Sequence, residues 1–123
     1  RCYLAGASVG DYVLFGGGYT TSSSDVVDAY DTSLTRSTPT ALSVGRCYLA
    51  GASVGDYVLF GGGYTTSYSD VVNAYDTSLT RSTPTALSSA RGYLAGASVG
   101  DYALFGGGFT DSVSGVVDAY EFS

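Results

Sequence analysis

Few side chains in this sequence of 123 residues can carry out catalytic chemistry. Histidine, lysine and methionine are all absent. Their absence removes the usual general base, the amine that forms Schiff bases and the imidazole ligands of metal ions. We therefore expect a protein that is not an enzyme and that holds no cofactor or metal.

Aspartate supplies ten of the eleven acidic residues. One aspartate recurs every 45 residues, after a glycine and before an apolar run, where aspartate is a common turn residue. These aspartates are Asp11, Asp56 and Asp101. Asp25, Asp28 and Asp31 lie close together, but their pattern lacks the glycine and terminal glutamate of a calcium loop. We therefore expect the carboxylates to lie in turns and solvated loops.

The two cysteines occupy equivalent positions. Cys2 and Cys47 are 45 residues apart, and the third such position is Gly92. A disulfide needs Cα atoms about 4.4–6.8 Å apart, a separation that neighbouring repeats would only just reach. We therefore predict free thiols, and two cysteines do not settle the redox compartment.

The charge balance argues against two classes of partner. The net charge is −6, with five arginines as the only basic side chains. Nucleic acids and anionic membranes attract basic surfaces, so we expect neither as a partner. No uninterrupted run of about 18 apolar residues is present. Because the first residue is Arg1 rather than methionine, we expect a processed, excised or designed segment.

The elements that must position these residues repeat along the chain. Residues 1–45 and 46–90 differ at only four positions, and residues 91–123 form a third unit that stops 12 residues short of the period. Such near-identity is expected after recent amplification or deliberate design. A period of this length is typical of solenoids, propellers and arrays.

Each unit contains four strand-like segments, which in the first unit are "YLAGASV", "YVLF", "VVDAY" and "STPTALS". Gly10-Asp11 between the first two predicts a tight hairpin, and the glycines at 16–18 supply backbone angles that side chains resist. Small residues in the first strand let copies crowd around an axis, and the second strand is apolar on both faces. Pro39 suits an edge strand. The pattern predicts an all-β fold of four-stranded antiparallel blades, as in a β-propeller.

The unit resembles the kelch repeat, in which a glycine pair closes the second strand and a tyrosine ends the third. The segment "YVLFGG", a polar loop and "VVDAYD" carry the resemblance, which spans the whole chain. Kelch units also place an arginine before the first strand, at Arg1, Arg46 and Arg91. A kelch-like copper-radical oxidase would need histidines, which agrees with a protein that is not an enzyme.

Two departures from the kelch pattern affect packing. Glu121 replaces the aspartate that follows the tyrosine in the third unit, whereas Tyr30-Asp31 and Tyr75-Asp76 keep the pair. The tryptophan expected after that tyrosine is replaced by serine, at Ser37 and Ser82. We therefore expect Leu42 and Leu87 to contribute more to the packing between blades.

The resemblance also implies a binding site. In kelch propellers the loops before the first strand surround the mouth of the central channel and often contact peptides. The residues that this implies at the mouth are Tyr3, Tyr48, Tyr93, Cys2 and Cys47. Tyrosines in a ring could stack on a peptide or a sugar, and the alternative is that they pack against neighbouring blades. Tyr68, in the polar loop after the second strand, is a further binding candidate.

The number of blades predicts self-association. A propeller closes with about four to eight blades, and this chain supplies blade 1 (1–45), blade 2 (46–90) and blade 3 (91–123), the last without its outermost strand. An apolar face is then left at each end. We expect a homodimeric ring of six blades that serves as a scaffold or interaction module. The alternative is a fibrous or cell-surface protein, extracellular or on bacteria, that forms open filaments.

Overall fold

The computed structural model describes residues 1–121, which form eleven β-strands and no helix. The first four are β1 (Ala5–Val9), β2 (Tyr12–Gly16), β3 (Val27–Tyr30) and β4 (Arg36–Ser37). The next four are β5 (Ala50–Val54), β6 (Tyr57–Gly61), β7 (Val72–Tyr75) and β8 (Arg81–Ser82). The last three are β9 (Ala95–Val99), β10 (Tyr102–Gly106) and β11 (Val117–Glu121). The predicted all-β class is confirmed.

The strands form three antiparallel sheets. Sheet 1 has the order β1-β2-β3-β4, sheet 2 repeats it as β5-β6-β7-β8, and in sheet 3 β10 lies between β9 and β11. The register repeats too, since Val9 faces Tyr12 in sheet 1 and Val54 faces Tyr57 in sheet 2. Sheets repeated in this way are compatible with neighbouring blades of a β-propeller.

Each sheet begins with the predicted hairpin. Gly10 and Asp11 form a two-residue turn between β1 and β2. Gly10 has φ of 53°, a left-handed angle that glycine adopts readily. The same turn recurs at Asp56 and Asp101, so these aspartates lie in turns as predicted.

Glycine is required after β2 for two reasons: the backbone angles are unusual, and the backbone of the next unit comes close. Gly17 has φ of 71°, and a Cβ atom there would lie 2.6 Å from the carbonyl oxygen of Arg46. Gly18, with φ of 105°, donates its N–H to that same carbonyl at 2.7 Å. The prediction of unusual backbone angles is confirmed for Gly17 and Gly18 and is wrong for Gly16, which lies in β2 without a positive φ. The close contact with the next unit is an additional reason for glycine.

The fourth strand differs from its prediction. It was expected within "STPTALS", but β4 contains only Arg36 and Ser37, which pair with Tyr30 and Ala29. Pro39 follows and cannot donate to the ladder. The chain then turns inward and buries Leu42, whose N–H donates to Asp25 O at 2.8 Å. Leu87 is buried equivalently, so the predicted role of both leucines in packing is confirmed.

Packing between the sheets uses two different faces of each sheet. We call the face that carries Leu14 and Val27 in sheet 1 the A face, and the opposite face, which carries Val13 and Phe15, the B face. The A face of sheet 1 packs against Phe60 and other B-face residues of sheet 2. The A face of sheet 2 packs in the same way against the B face of sheet 3.

The first strands of the sheets come close together. A Cβ atom on Gly51 of β5 would lie 2.8 Å from Gly6 O of β1. A Cβ atom on Gly96 of β9 would overlap Gly51 O in the same way. Because no side chain fits at these contacts, the expectation that small residues permit crowding of the first strands is confirmed.

Candidate functional site

No residue in the described part of the chain covers the B face of sheet 1. Phe15 is 39% exposed, whereas its equivalents Phe60 and Phe105 are fully buried at 0%. Val13 is also exposed, and Val58 at the same position in sheet 2 is buried. An aromatic residue and a valine exposed side by side on a regular sheet form an apolar patch of the kind found at protein interfaces.

At the other end, nothing within residues 1–121 covers the A face of sheet 3. Val117 is 60% exposed, whereas the equivalent Val72 is at 0%. Val99 is exposed as well, while Val54 in sheet 2 is buried. The chain therefore presents one copy of each face that it uses for its own internal packing.

A phenylalanine and a glycine form the centre of each internal junction. The ring of Phe60 packs on Gly16, where a Cβ atom would lie 3.0 Å from Cζ. Phe105 packs on Gly61 with a corresponding distance of 3.1 Å. At Gly106 a Cβ atom would meet, among the described residues, only Val117, at 3.6 Å. The notch at Gly106 is thus open. The equivalent notches at Gly16 and Gly61 are filled by phenylalanine rings, and Phe15 is the exposed phenylalanine of the same type.

Backbone hydrogen bonds also link the sheets at each junction. Arg46 accepts from Gly18 N at 2.7 Å and donates its own N–H to Ser24 O at 3.1 Å. The corresponding bonds join Arg91 to Gly63 and Ser69 in the next junction. Their equivalents in sheet 3 are Gly108 N and Ser114 O, which have no such partner among residues 1–121.

The three tyrosines predicted at the channel mouth come together as a stack. Tyr3 and Tyr48 have ring centroids 4.3 Å apart with planes at 40°, and Tyr48 and Tyr93 are 4.0 Å apart at 29°. Tyr48 N donates to Tyr3 O at 3.0 Å, and Tyr93 N donates to Tyr48 O at 2.9 Å. We call these three residues the tyrosine ladder. Its members belong to successive units, so each ring contact joins one unit to the next.

The tyrosine ladder has an unusual backbone. All three residues have positive φ, from 57° to 60°, in a region that residues other than glycine occupy uncommonly. Tyr3 and Tyr93 are exposed, and Tyr48 between them is half-buried. The pKa of Tyr48 is raised above its usual range. Hydrogen bonding to Tyr93 is the largest cause, followed by burial and then by hydrogen bonding to Tyr3.

The spacing within the ladder restricts how a ligand can bind. Centroid distances of 4.0 and 4.3 Å leave no room for a sugar or a peptide group between the rings. A ligand would have to contact the hydroxyl edges of the ladder or the outer ring faces of Tyr3 and Tyr93. An open hollow of about 370 Å³ lies beside the ladder, lined by residues that include Tyr19, Ser23 and Cys47.

The two cysteines near the ladder have different surroundings. Both are free thiols, with Cys2 exposed and Cys47 buried. Cys47 Sγ donates to Tyr64 O at 3.5 Å and accepts from Ser23 Oγ at 3.7 Å. Ser23, in the loop after β2 of the first unit, contacts Cys47, whereas Cys2 has no equivalent neighbour within residues 1–121.

Tyr68 occupies the position of Ser23 at the second junction. Its ring lies 5.0 Å from that of Tyr64 and 6.1 Å from that of Phe109, edge to face in both pairs. A Cβ atom on Gly92 would be 3.1 Å from Tyr68 Cδ1. The pair Ser23 and Cys47 at the first junction is therefore replaced by Tyr68 and Gly92, a large and a small residue that fit each other.

Arg46 and Arg91, which precede the first strands of sheets 2 and 3, are buried and hydrogen-bonded, whereas Arg1 before sheet 1 is exposed. Arg46 is fully buried and donates to Gly62 O at 2.7 Å, Phe60 O at 3.1 Å and Asn73 Oδ1 at 3.0 Å. Arg91, also fully buried, donates to Asp118 Oδ2 at 2.9 Å. The sequence matched these arginines to the kelch pattern without predicting their burial.

The change of aspartate to Asn73 has an electrostatic consequence. Arg1 pairs with Asp28 and Arg91 with Asp118, but Arg46 has only the neutral amide of Asn73. Burial lowers the pKa of Arg46 to about 10, partly offset by Tyr75. Burial opposes ionisation of Asp118, but hydrogen bonds from Arg91 and Ser88 outweigh it and lower the pKa of that carboxyl.

The clustered aspartates serve local structure. Asp31 Oδ1 accepts from Ser33 N at 2.9 Å and Thr35 N at 3.0 Å, which closes the turn after β3. Asp28 pairs with Arg1. No group of three or more potential metal ligands occurs among residues 1–121.

Over the same part of the chain, no helix has the length and apolar character needed to cross a membrane.

The sequence matches no protein-family model, and a comparison with curated proteins finds no similar one.

Proposed function

We propose that this chain is a kelch-like propeller segment that assembles with further copies of itself, head to tail. The A face of sheet 3 in one copy then packs against the B face of sheet 1 in the next. The observation that carries this proposal is the pairing of Phe60 with Gly16 and of Phe105 with Gly61, beside an exposed Phe15 and an open notch at Gly106.

Polar groups support the same arrangement. At both internal junctions the arginine backbone bonds to a glycine N–H and a serine carbonyl of the preceding sheet. In the assembly, the backbone of Arg1 would form the same two hydrogen bonds, with Gly108 N and Ser114 O of a second copy. Because the interface is heterologous, it produces either a closed ring or an open filament. Two chains, with six blades, fall within the usual size of a propeller.

The assembled protein would act as a scaffold or interaction module rather than as an enzyme. Its rim would present the hydroxyl edges of the tyrosine ladder, together with Tyr68, to a peptide or a carbohydrate. Tyrosine suits such surfaces because it combines an apolar ring with a polar hydroxyl. An open filament, as in a fibrous surface protein, uses the same interface without closure.

A disulfide across the proposed interface tests the arrangement. Ser23 Oγ and Cys47 Sγ are 3.7 Å apart at the first junction. The equivalent pair between two copies is Val113, which is 86% exposed, and Cys2. In a Cys47→Ser background, Val113→Cys should form intermolecular disulfides with Cys2 under mild oxidation. The products are separated on non-reducing gels, and their masses and free thiols are measured.

The number of chains in the product distinguishes the two assemblies. A ring of two chains gives a covalent dimer without free thiols, and a filament gives a series of larger products. As a matched control, Ser23→Cys in a Cys2→Ser background should form the internal disulfide with Cys47. If the control oxidises while the Val113→Cys protein stays monomeric, also by light scattering, the proposal is wrong.

A further inference from the structure

The tyrosine ladder places three phenol rings in contact without another aromatic type between them. Its neighbouring rings are 4.0 and 4.3 Å apart at moderate interplanar angles. The two outer tyrosines are exposed at 52% and 56%, so a reagent in solution can reach both ends. The stack follows the backbone hydrogen bonds between the units and is therefore held by the fold.

Phenols in such an arrangement can couple after oxidation. Loss of one electron and one proton from a tyrosine gives a neutral tyrosyl radical with spin density on the ring carbons next to the hydroxyl. Two such radicals combine through a carbon–carbon bond, and the hydrogen on each coupled ring carbon then moves to the phenolic oxygen of its ring, which restores both the aromatic rings and the hydroxyls. The net change is loss of two electrons and two protons, and the electrons pass to a one-electron oxidant.

We propose that the tyrosine ladder is a site of oxidative cross-linking, at which a one-electron oxidant joins Tyr48 to Tyr3 or to Tyr93 as dityrosine. The bond links units that are 45 residues apart in the chain. It fixes neighbouring sheets covalently at the edge where their first strands meet. The oxidant belongs to the class that peroxidases and photo-oxidised metal complexes represent.

Other aromatic pairs have geometries less suited to this coupling. Tyr64 and Tyr68 are 5.0 Å apart but meet edge to face at 67°, which directs the edge of one ring at the face of the other. The remaining contacts of Phe15, Phe60 and Phe105 each pair a tyrosine with a phenylalanine, which has no phenol to oxidise. The ladder is therefore the expected location.

The same site extends across the proposed ring, and this extension rests on the proposed function. In the head-to-tail assembly, Tyr93 of one copy lies next to Tyr3 of the following copy. The two rings are then related as Tyr48 and Tyr93 are within one chain. Oxidation would then also join chains to each other. Cross-links within one chain do not depend on assembly, so the two ideas fail separately.

The experiment uses tris(bipyridine)ruthenium(II) with persulfate under visible light as the oxidant. Dityrosine is detected by its fluorescence, and the linked residues are identified by mass spectrometry after trypsin digestion. Cleavage at the arginines separates Tyr3, Tyr48 and Tyr93 into three different peptides. We expect two linked products, one joining the peptides of Tyr3 and Tyr48 and one joining those of Tyr48 and Tyr93.

Three variants identify the source of the signal. Tyr48→Phe keeps an aromatic ring in the stack and should remove both internal links, whereas Tyr3→Phe should remove only the first. Tyr102→Phe is the matched control at an exposed tyrosine outside the ladder and should leave both links. Circular dichroism checks that each variant is folded.

The outcomes decide the proposal directly. Persistence of the same internal dityrosine in folded Tyr48→Phe protein would overturn it. So would the absence of ladder links under conditions that oxidise Tyr102. A link between Tyr93 and Tyr3 of different chains that disappears in Gly106→Val protein would support the extension to the ring. Internal links without that product would support the ladder and count against the assembly.

Discussion

The guanidinium of Arg46 lies 3.0 Å from Asn73 Oδ1, a neutral group at the position where Asp28 and Asp118 serve Arg1 and Arg91. The second unit therefore buries a positive charge without a carboxylate. Removing a charge from water is unfavourable unless it is paired. The depressed pKa of Arg46 reflects this burial.

Asn73→Asp should stabilise the folded protein. Arg46 already donates a hydrogen bond to Asn73 Oδ1, so the gain comes from replacing a neutral acceptor by a carboxylate, and we expect the free energy of unfolding to rise by about 1 kcal/mol. Urea denaturation at fixed protein concentration measures the change. Asp118→Asn is the matched control and should lower stability, because it leaves Arg91 with the neutral partner that Arg46 has now. Equal stability of Asn73→Asp and the original chain would contradict the prediction.

Stability should fall at alkaline pH, and Tyr75 should account for part of the loss. Burial raises the pKa of Tyr75 from 10.0 to about 12, although Arg81 and Arg46 oppose the shift. Between these values the folded state keeps a proton that the unfolded chain has lost, so stability decreases as pH rises through the window. Tyr120 has the same effect, because its pKa is also raised to about 12 and burial is the largest cause. Arg46 acts in the opposite sense, because its pKa is lowered on folding.

Tyr75→Phe should make the alkaline decline shallower. It should also lower stability at neutral pH by about 1 kcal/mol, since Thr40 O loses the hydrogen bond that Tyr75 donates at 2.6 Å. Denaturation at a series of pH values from neutral to strongly alkaline measures both the stability at neutral pH and its decline with rising pH. An unchanged slope in the variant would mean that Tyr75 does not contribute.

Tyr68 and Gly92 should be energetically coupled. Gly92→Cys places a Cβ atom 3.1 Å from the Tyr68 ring, and overpacking of this kind costs roughly 1–3 kcal/mol. Adding Tyr68→Ser recreates the Ser23 and Cys47 pair of the first junction, so the double variant should be more stable than the sum of the single changes predicts. A double-mutant cycle in urea measures the coupling. Simple additivity would count against a paired replacement.

Phe15 and Phe60 should respond differently to truncation. Phe60→Ala removes a fully buried ring and should cost about 3–5 kcal/mol of stability. Phe15→Ala removes a ring that is exposed in the single chain, so the strands should persist while the mass in solution falls to that of one chain. Circular dichroism and light scattering are the two measurements. An oligomer that survives Phe15→Ala unchanged would place the contact elsewhere.

Much of the fold was predictable because local signals and periodicity agree. Gly10-Asp11 indicated the hairpin, and the nearly continuous apolar run from Tyr12 to Phe15 indicated a strand with two apolar faces. The short fourth strand was missed because the inward turn that buries Leu42 depends on a contact with Asp25, which the local pattern does not reveal.

The candidate site was predictable only in part. Recurring tyrosines and the family resemblance indicated Tyr3, Tyr48 and Tyr93, but ring stacking depends on how far apart the sheets lie. Burial of Arg46 and Arg91 was not evident, because the carbonyl groups that accept their hydrogen bonds come from residues 14 to 16 positions away. A charged residue that recurs once per unit was the available signal.

The match of one phenylalanine to one glycine at each junction has a consequence for how such a protein can change in length. Every unit carries both halves of the contact, so inserting or deleting a whole unit of 45 residues creates no boundary that the chain does not already possess. Gene duplication can therefore lengthen the array in single steps without first improving a new surface. Near-identical neighbouring units, such as the first two here, are expected from such growth or from deliberate design.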